Sequence, residues 1–150
     1  NYNSPGQIVI AGAAAAVDAA VEACKAAGAR KAMPLAVSVP SHCALMDPAA
    51  QALATELASV DVVMPDVPVV HNVDGAPASN PDELRAKLVA QLSEPVRWTQ
   101  CVHALADAGA QTFIECGPGK VLTGLARRIN KQLSGKAVND TASLASALAD

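Results

Sequence analysis

The chain has 150 residues, of which 51% are hydrophobic and 17% charged, so it is long enough for one domain with a buried core but not for two full-sized domains. Eleven basic residues against fourteen acidic ones give a formal net charge of −3, and there is one Trp, one Tyr and one Phe. This composition argues against a nucleic-acid-binding protein. The mean hydropathy of +0.25 comes largely from alanine, and the absence of any run of about twenty strongly apolar residues excludes a transmembrane helix.

The start of the chain and its cysteines bear on where the protein works. Residues 1–7 contain neither an initiating Met nor the basic start of a signal peptide, so we expect an internal piece of a longer protein. The four cysteines are widely spaced and form no C-x-x-C pair, so the sequence carries neither a zinc motif nor a redox motif. This pattern predicts four reduced, mostly buried thiols in a cytoplasmic protein.

The first forty residues predict a strand, a helix and a second strand. A short apolar run over 7–11 favours a strand. The segment 13–27 combines strong helix formers with apolar residues at helical spacing, and Gly28 ends it. The apolar segment 32–39 predicts a second strand, which Pro40 closes. These three elements make a predicted βαβ unit.

The rest of the chain alternates predicted helices and strands. Asn80 and Pro81 predict the start of a helix over 81–92, because Asn80 can cap it, Pro81 fits its first turn and acidic residues follow. Strands are predicted over 67–72 and 112–116. The remaining predicted helices cover 45–59, 96–108, 120–133 and 141–149. This alternation predicts an α/β fold.

The Gly-rich segment 117–121 (GPGKV) has some likeness to a phosphate-binding loop. A Walker loop requires Gly where Ile114 stands and Ser or Thr where Val121 stands, and a dinucleotide fingerprint requires Gly at Leu122. Both patterns fail. The segment therefore predicts a structural turn between a strand and a helix, and contact with a ligand at that sheet edge stays open as the alternative.

The three histidines do not have the spacing of a metal site. His42, His71 and His103 form no H-x-x-H pattern and have no acidic residues placed as further ligands. His42 differs from the others because it follows a predicted strand and precedes a predicted helix, at the sheet edge where catalytic groups gather. Its neighbour Cys43 does not predict a thiolate mechanism, because adjacent residues rarely aim their side chains at each other.

Five segments of the chain resemble the bacterial malonyl-CoA:acyl carrier protein transacylases, in the same order and at similar spacing. Their sequences are NSPGQIVIAG over 3–12, VSVPSHCALM over 37–46, PVV-x-NVD over 68–74, QL-x-x-PV-x-WT over 91–99 and E-x-GPGKVL-x-GL over 115–125. The resemblance runs through the whole chain and is to the C-terminal half of that enzyme.

The resemblance implies a fold and an activity. The fold is a hydrolase-like α/β acyltransferase core with an inserted ferredoxin-like subdomain, in which 1–39 form the second half of the small subdomain and 40–150 the C-terminal part of the large core. The activity is ping-pong transfer of the malonyl group from malonyl-CoA to the phosphopantetheine thiol of acyl carrier protein, in fatty-acid biosynthesis in the cytoplasm. It implies no cofactor besides the coenzyme A thioester substrate, no metal and no membrane.

Five residues match positions with roles in that family. The resemblance implies that His42 is the general base for a serine nucleophile and then the general acid for the leaving thiolate. It implies that the backbone carbonyl of Gln91 orients the His42 ring. Ser41 matches the small residue that lines the malonyl pocket, and Asn1 and Asn3 lie on the loop that faces the coenzyme A channel. For Ser41 and Asn3, ordinary turn and cap chemistry is the alternative interpretation.

The sequence departs from the family pattern in one important respect. It contains no G-x-S-x-G motif, so the serine nucleophile and the arginine that holds the malonyl carboxylate are expected in an N-terminal half upstream of Asn1. We therefore expect the chain to be inactive without that half as its partner. Two alternatives stay open: an acyltransferase domain of the polyketide type for another acyl group, which Ser41 weakly disfavours, and a non-catalytic module that binds the carrier protein.

Overall fold

The computed structural model of the protein describes residues 1–149, which form four short strands and six α-helices. An antiparallel pair opens the chain, with β1 at Tyr2–Ser4 and β2 at Gln7–Ile8. The helices of the middle region are α1 (Ala14–Ala26), α2 (Asp47–Leu57, preceded by a 3-10 turn at Ala44–Met46), α3 (Pro81–Ala90) and α4 (Trp98–Asp107). The last elements are β3 (Thr112–Cys116), α5 (Val121–Ile129), β4 (Ser134–Val138) and α6 (Thr141–Leu148).

A βαβ unit is present, but it spans 112–138 and not the first forty residues. Strands β3 and β4 pair in parallel, in a register that runs from Thr112 opposite Ser134 to Cys116 opposite Val138. Parallel neighbours need a crossover connection, which α5 provides while packing against both strands. The structure is thus mixed α/β, as the predicted alternation of helices and strands indicates.

The buried core lies between α4, α5 and this small sheet. Trp98, Val102 and Ala106 recur every four residues, so they share one face of α4, and Val102 is completely buried. Burial of a side chain of this size stabilises the fold by about 1.5–3 kcal/mol. The other members of the cluster are Phe113, Ala126, Ile129 and Leu133.

Two helix starts are capped by side chains. The Asn80 side chain accepts a hydrogen bond from the backbone N–H of Glu83 at 2.9 Å, which confirms the predicted start of α3. At α6, Asp140 accepts from the backbone N–H of Ser143 at 2.7 Å, and the Ser143 hydroxyl accepts in return from the backbone N–H of Asp140 at 3.1 Å. Each cap satisfies backbone groups that the helix itself cannot pair.

Two predicted strands are absent from the residues described. The segments 32–39 and 67–72 carry no strand pairing, and β2 ends at Ile8 instead of continuing to residue 11. A strand is stable when a neighbouring strand accepts and donates its ladder of hydrogen bonds, and within residues 1–149 these segments have no such neighbour. In the first of them Met33, Leu35 and Val37 are more than half exposed.

The region after β3 also differs from the prediction. A single helix was expected over 120–133, whereas α5 ends at Ile129 and β4 follows. Asn130 ends the helix by taking an extended backbone conformation. The other predicted helices and the 112–116 strand are confirmed to within about two residues at each end.

The prediction of mostly buried cysteines is wrong. Cys101 is buried in α4 and Cys43 is half-buried, but Cys24 and Cys116 are exposed, the first on α1 and the second at the end of β3. All four are free thiols. Cys24 is exposed because α1 contains no buried residue. The tendency of cysteine to be buried does not show which helix lies at the surface.

Candidate active site around His42

His42 is held on the loop before α2 in an unusual backbone conformation. Its φ of 64° lies in the left-handed region, which a residue with a side chain adopts only when the surrounding structure enforces it. Its backbone N–H donates a hydrogen bond to the carbonyl of Leu92, at 2.9 Å, just beyond the end of α3. The loop is thereby tied to a helix fifty residues further along the chain.

The ring of His42 makes a second bond to the same helix end. Nδ1 lies 2.7 Å from the backbone carbonyl of Gln91, which follows the last residue of α3. A carbonyl only accepts, so Nδ1 carries the proton and Nε2 carries the lone pair of the neutral ring. Carbonyls at a helix C-terminus have no partner within the helix, so the Gln91 carbonyl is free to accept this hydrogen bond.

The thiol next to His42 has its own partner. Cys43 Sγ donates to the carbonyl of Pro40 at 3.2 Å. This contact accords with the prediction that Cys43 and His42 do not form a thiolate pair. Ser41, which precedes His42, is half-buried.

The other two predicted substrate residues lie at the start of the described chain, Asn3 in β1 and Asn1 just before it. Asn1 and Asn3 are half-buried and belong to the β1–β2 region, where Asn1 and Val9 exchange backbone hydrogen bonds of 2.7 and 3.0 Å. Strand β1 is fastened to the start of α4, because the carbonyl of Tyr2 accepts from the Thr99 hydroxyl at 3.0 Å. The structure places His42 and Gln91 in direct contact, and within residues 1–149 no hydrogen bond joins Asn1 or Asn3 to either of them.

A buried lysine near the site was missed by the sequence analysis. Lys87, in the last turn of α3, is only 7% exposed. Its Nζ lies 2.9 Å from a carboxylate oxygen of Asp74 and 3.0 Å from one of Glu83, and it donates to the carbonyls of Ala76 at 3.3 Å and Pro77 at 2.9 Å. The sequence shows Glu83 and Lys87 at the i,i+4 spacing of a helical ion pair. Such pairs are usually exposed and add little to the stability of the fold, so the spacing did not indicate a buried lysine.

The charges of this cluster reinforce one another. Burial by itself lowers the pKa of Lys87, but the hydrogen bonds to Asp74 and Glu83 outweigh it, and the pKa lies above its ordinary value. Burial by itself raises the pKa of Asp74, but the hydrogen bonds from Lys87 and from the backbone of Ala76, together with the positive charge of Lys87, outweigh it, and this pKa lies below its ordinary value. Hydrogen bonds from Ser79 and then Lys87 lower the pKa of Glu83 to about 2. The cluster is therefore fully ionised at neutral pH.

The GPGK turn is occupied by a side chain of the protein. The Glu115 carboxylate accepts hydrogen bonds from the backbone N–H groups of Leu122 at 3.1 Å and Thr123 at 2.8 Å, and from the Thr123 hydroxyl at 2.9 Å. These bonds, the one from the Thr123 backbone above all, lower the pKa of Glu115. An anion at the start of α5 would have to displace this carboxylate, which supports the structural interpretation of the turn. Gly117 and Gly119 supply its positive φ angles.

The described part of the chain shows neither a metal site nor a membrane span. Among residues 1–149 no three His, Cys, Asp or Glu side chains are grouped so that they could hold a metal ion. No helix in that same range is long and apolar enough to cross a bilayer.

Comparison with known proteins identifies the family. The model of the acyl transferase domain matches residues 1–147. The chain belongs to the acyl transferase domain family. It is 55% identical over 148 residues to the malonyl CoA-acyl carrier protein transacylase of Escherichia coli K12, covering 99% of this chain and 48% of that protein. The Bacillus subtilis protein of the same name is 45% identical over 140 residues, which cover 93% of this chain and 44% of the relative.

Solved structures of family members have the same fold. A complex of a type II PKS acyl-carrier protein with its malonyl-transacylase matches with a TM-score of 0.95 and 55% identity, over 99% of this chain and 48% of that one. MCAT from Streptococcus pneumoniae matches with a TM-score of 0.93 and 42% identity, over the same shares of the two chains. The chain thus has the acyltransferase fold and spans about half the length of the curated relatives it matches.

Proposed function

We propose that this chain is the histidine-bearing half of a malonyl-CoA:acyl carrier protein transacylase of fatty-acid biosynthesis. The observation that carries the proposal is the 2.7 Å contact of His42 Nδ1 with the Gln91 carbonyl, which fixes the tautomer that a general base needs. The relatives named malonyl CoA-acyl carrier protein transacylase, one of them 55% identical to this chain, support the same reaction.

The chemistry assigned to His42 is a proton relay in a ping-pong reaction. In the first half-reaction Nε2 takes the proton of a serine hydroxyl as that oxygen attacks the malonyl thioester, and then gives the proton to the departing coenzyme A thiolate. In the second, Nε2 takes the proton of the phosphopantetheine thiol of acyl carrier protein as that sulfur attacks the malonyl-serine ester. The carbonyl carbon–serine oxygen bond then breaks, and Nε2 returns the proton to the departing serine oxygen. No cofactor is needed beyond the coenzyme A thioester of the substrate.

The serine and the group that holds the malonyl carboxylate belong, in this proposal, to the other half of the enzyme. The term "complete enzyme" means this chain joined to an N-terminal half that supplies the remaining length of its relatives. Where a hybrid is needed, the corresponding part of the Escherichia coli transacylase provides that half. We propose that Ser41 lines the malonyl pocket and that Asn1 and Asn3 face the coenzyme A channel. The neighbouring structure with a bound acyl-carrier protein supports a carrier protein as the second substrate.

The finer architecture is also a proposal. We propose that 1–39 form the second half of a ferredoxin-like subdomain inserted in a hydrolase-like core, and that 40–150 form the C-terminal part of that core. The exposed apolar side chains of 33–39 support this division. In the complete enzyme, the backbone of this segment would pair with a further strand, and the packing around that strand would cover its apolar side chains. Four free thiols accord with a reducing compartment, and we place the enzyme in the cytoplasm.

Two variants of the complete enzyme test the proposal. His42→Ala should lower kcat for malonyl transfer by about four to six powers of ten, because it removes a member of the catalytic unit. Gln91→Ala should change kcat little, since its main-chain carbonyl is retained. His103→Ala, at an exposed position on α4, is the matched control. Retention of activity by His42→Ala would contradict the proposal, and so would malonyl transfer by the 150-residue chain alone.

The same assay separates the alternatives. An acyltransferase of the polyketide type for another acyl group would prefer a different acyl-CoA to malonyl-CoA in kcat/KM. A non-catalytic module would bind carrier protein but show no turnover even in the complete enzyme.

A further inference from the structure

The position of His42 depends on the position of the end of α3. Both of its hydrogen bonds, the backbone N–H to Leu92 and Nδ1 to Gln91, are made to carbonyls just beyond the last residue of that helix. The left-handed backbone of His42 has to be enforced from outside, and these two bonds are what the structure provides. A shift of the helix end would therefore move the imidazole or release it.

Lys87 lies one turn before that helix end. Its carbonyl accepts the hydrogen bond from the backbone N–H of Gln91 at 3.1 Å, so the two residues are linked within the helix. Of the four partners of its ammonium group, only Glu83 is on α3. The other three, Asp74 and the carbonyls of Ala76 and Pro77, belong to the loop 71–77. The lysine thus fastens the helix to a separate segment.

The loop 71–77 is itself fastened to the start of α4. Arg97 donates its backbone N–H to the carbonyl of Asn72 at 2.7 Å and its Nε to the carbonyl of Val73 at 2.9 Å. The Cys101 thiol donates to the carbonyl of His71 at 3.4 Å. Because α4 carries the buried core, a rigid element supports the loop, which in turn receives Lys87.

We propose that Lys87 is a positioning residue for His42, and that its buried contacts with loop 71–77 fix the end of α3 whose carbonyls set the place and tautomer of the imidazole. The inference rests on the proposed function, because a displaced general base matters only in an enzyme that uses it. A displacement of about 1 Å of a catalytic group can lower the rate about 100-fold.

The test is Lys87→Met in the complete enzyme, compared with Lys25→Met. Methionine keeps the apolar stem and removes the ammonium, and Lys25 is a matched control because its ion pair with Glu22 lies exposed on α1. We expect kcat for malonyl transfer to fall about 10- to 100-fold in Lys87→Met. We expect KM for malonyl-CoA to change less than about threefold, and Lys25→Met to leave both unchanged.

The ring nitrogens of His42 give a readout that a general loss of stability would not move. In ¹⁵N spectra of the neutral ring, the parent protein should show His42 protonated on Nδ1, and Lys87→Met should show a mixture of the two tautomers. This measurement does not require turnover, so it tests the positioning role even if malonyl transfer is absent and the proposed function fails.

Two charge-removing variants separate the loop contact from the helical pair. Asp74→Asn weakens the contact with the loop and keeps an oxygen that can accept from the backbone N–H of Ala76, so it should reproduce the loss in kcat and the tautomer mixture. Glu83→Gln weakens the ion pair with Lys87 within α3 and the hydrogen bonds from Ser79, but it leaves the contact of Lys87 with loop 71–77 in place and should preserve both kcat and the tautomer. If Lys87→Met does not fold, Asp74→Asn decides in its place. A folded Lys87→Met or Asp74→Asn with unchanged kcat and unchanged His42 tautomer overturns the proposal.

Discussion

Gly75 is a position where the backbone and the packing both oppose a larger residue. It lies in the loop 71–77 with a φ of 71°, and its N–H donates to the carbonyl of His71 at 2.9 Å. A Cβ added there would lie 2.9 Å from the Cβ of Gln100 and 3.3 Å from that residue's carbonyl carbon. Neither atom is the end of a flexible side chain, so the loop has to move away from α4.

The expected loss for Gly75→Ala has two parts. The left-handed backbone costs an alanine about 1–2 kcal/mol. Overpacking against α4 costs about 1–3 kcal/mol more. The free energy of unfolding should therefore fall by about 2–5 kcal/mol, the sum of those two ranges.

Gly28→Ala separates these two parts. Gly28 has a φ of 85°, but a Cβ there meets no atom within 4 Å, so only the backbone cost of about 1–2 kcal/mol applies. The effect of alanine on the unfolded chain is the same in both variants and cancels in the comparison. Urea unfolding of the chain, followed by the fluorescence of its one Trp, gives both values. Equal losses in the two variants would refute the packing argument.

The other predictions concern specificity and pH. Because we propose that Ser41 lines the malonyl pocket, Ser41→Phe in the complete enzyme should crowd it and lower kcat/KM for methylmalonyl-CoA more than for malonyl-CoA. An unchanged ratio would place Ser41 away from the acyl group. Burial, and then the charge of Lys87, lower the pKa of His71 below its ordinary value of 6.5. The folded protein then binds this proton less readily than the unfolded chain, so the stability is complete above pH 6.5 and declines as the pH falls towards the pKa of the folded state. Urea titrations between about pH 5.5 and 7.5 should show this decline in the parent chain and not in His71→Asn; equal slopes would exclude His71 as its source.

The sequence determined those elements whose signals are local. The start of α3 follows from Asn80 and Pro81, which act on backbone groups within the first turn. The strand at 112–116 was placed correctly because its apolar, β-branched residues run directly into the Gly-rich turn. The motif around His42 could also be recognised from the sequence, because it consists of consecutive residues.

Tertiary pairing decided the strands that the sequence misplaced. Strand β4 has the sequence SGKAV, with a glycine and a lysine that disfavour strands, yet it forms because β3 offers it a parallel partner. The apolar segment 32–39 has the better strand signal and forms none among the described residues, because no strand of 1–149 lies beside it. Strand pairing is a contact between distant segments, which residue preference alone does not specify.

The site shows the same division between local and distant information. From the sequence alone, His42 was placed just before a predicted helix, and the family resemblance named the Gln91 carbonyl as its partner. Only the tertiary structure put that carbonyl 2.7 Å from Nδ1 across 49 residues of sequence, and buried Lys87 against a loop that precedes its own helix. Caps, turns and helical spacing act within about four residues, whereas the contacts that position His42 arise from the packing of α3, the loop 71–77 and α4.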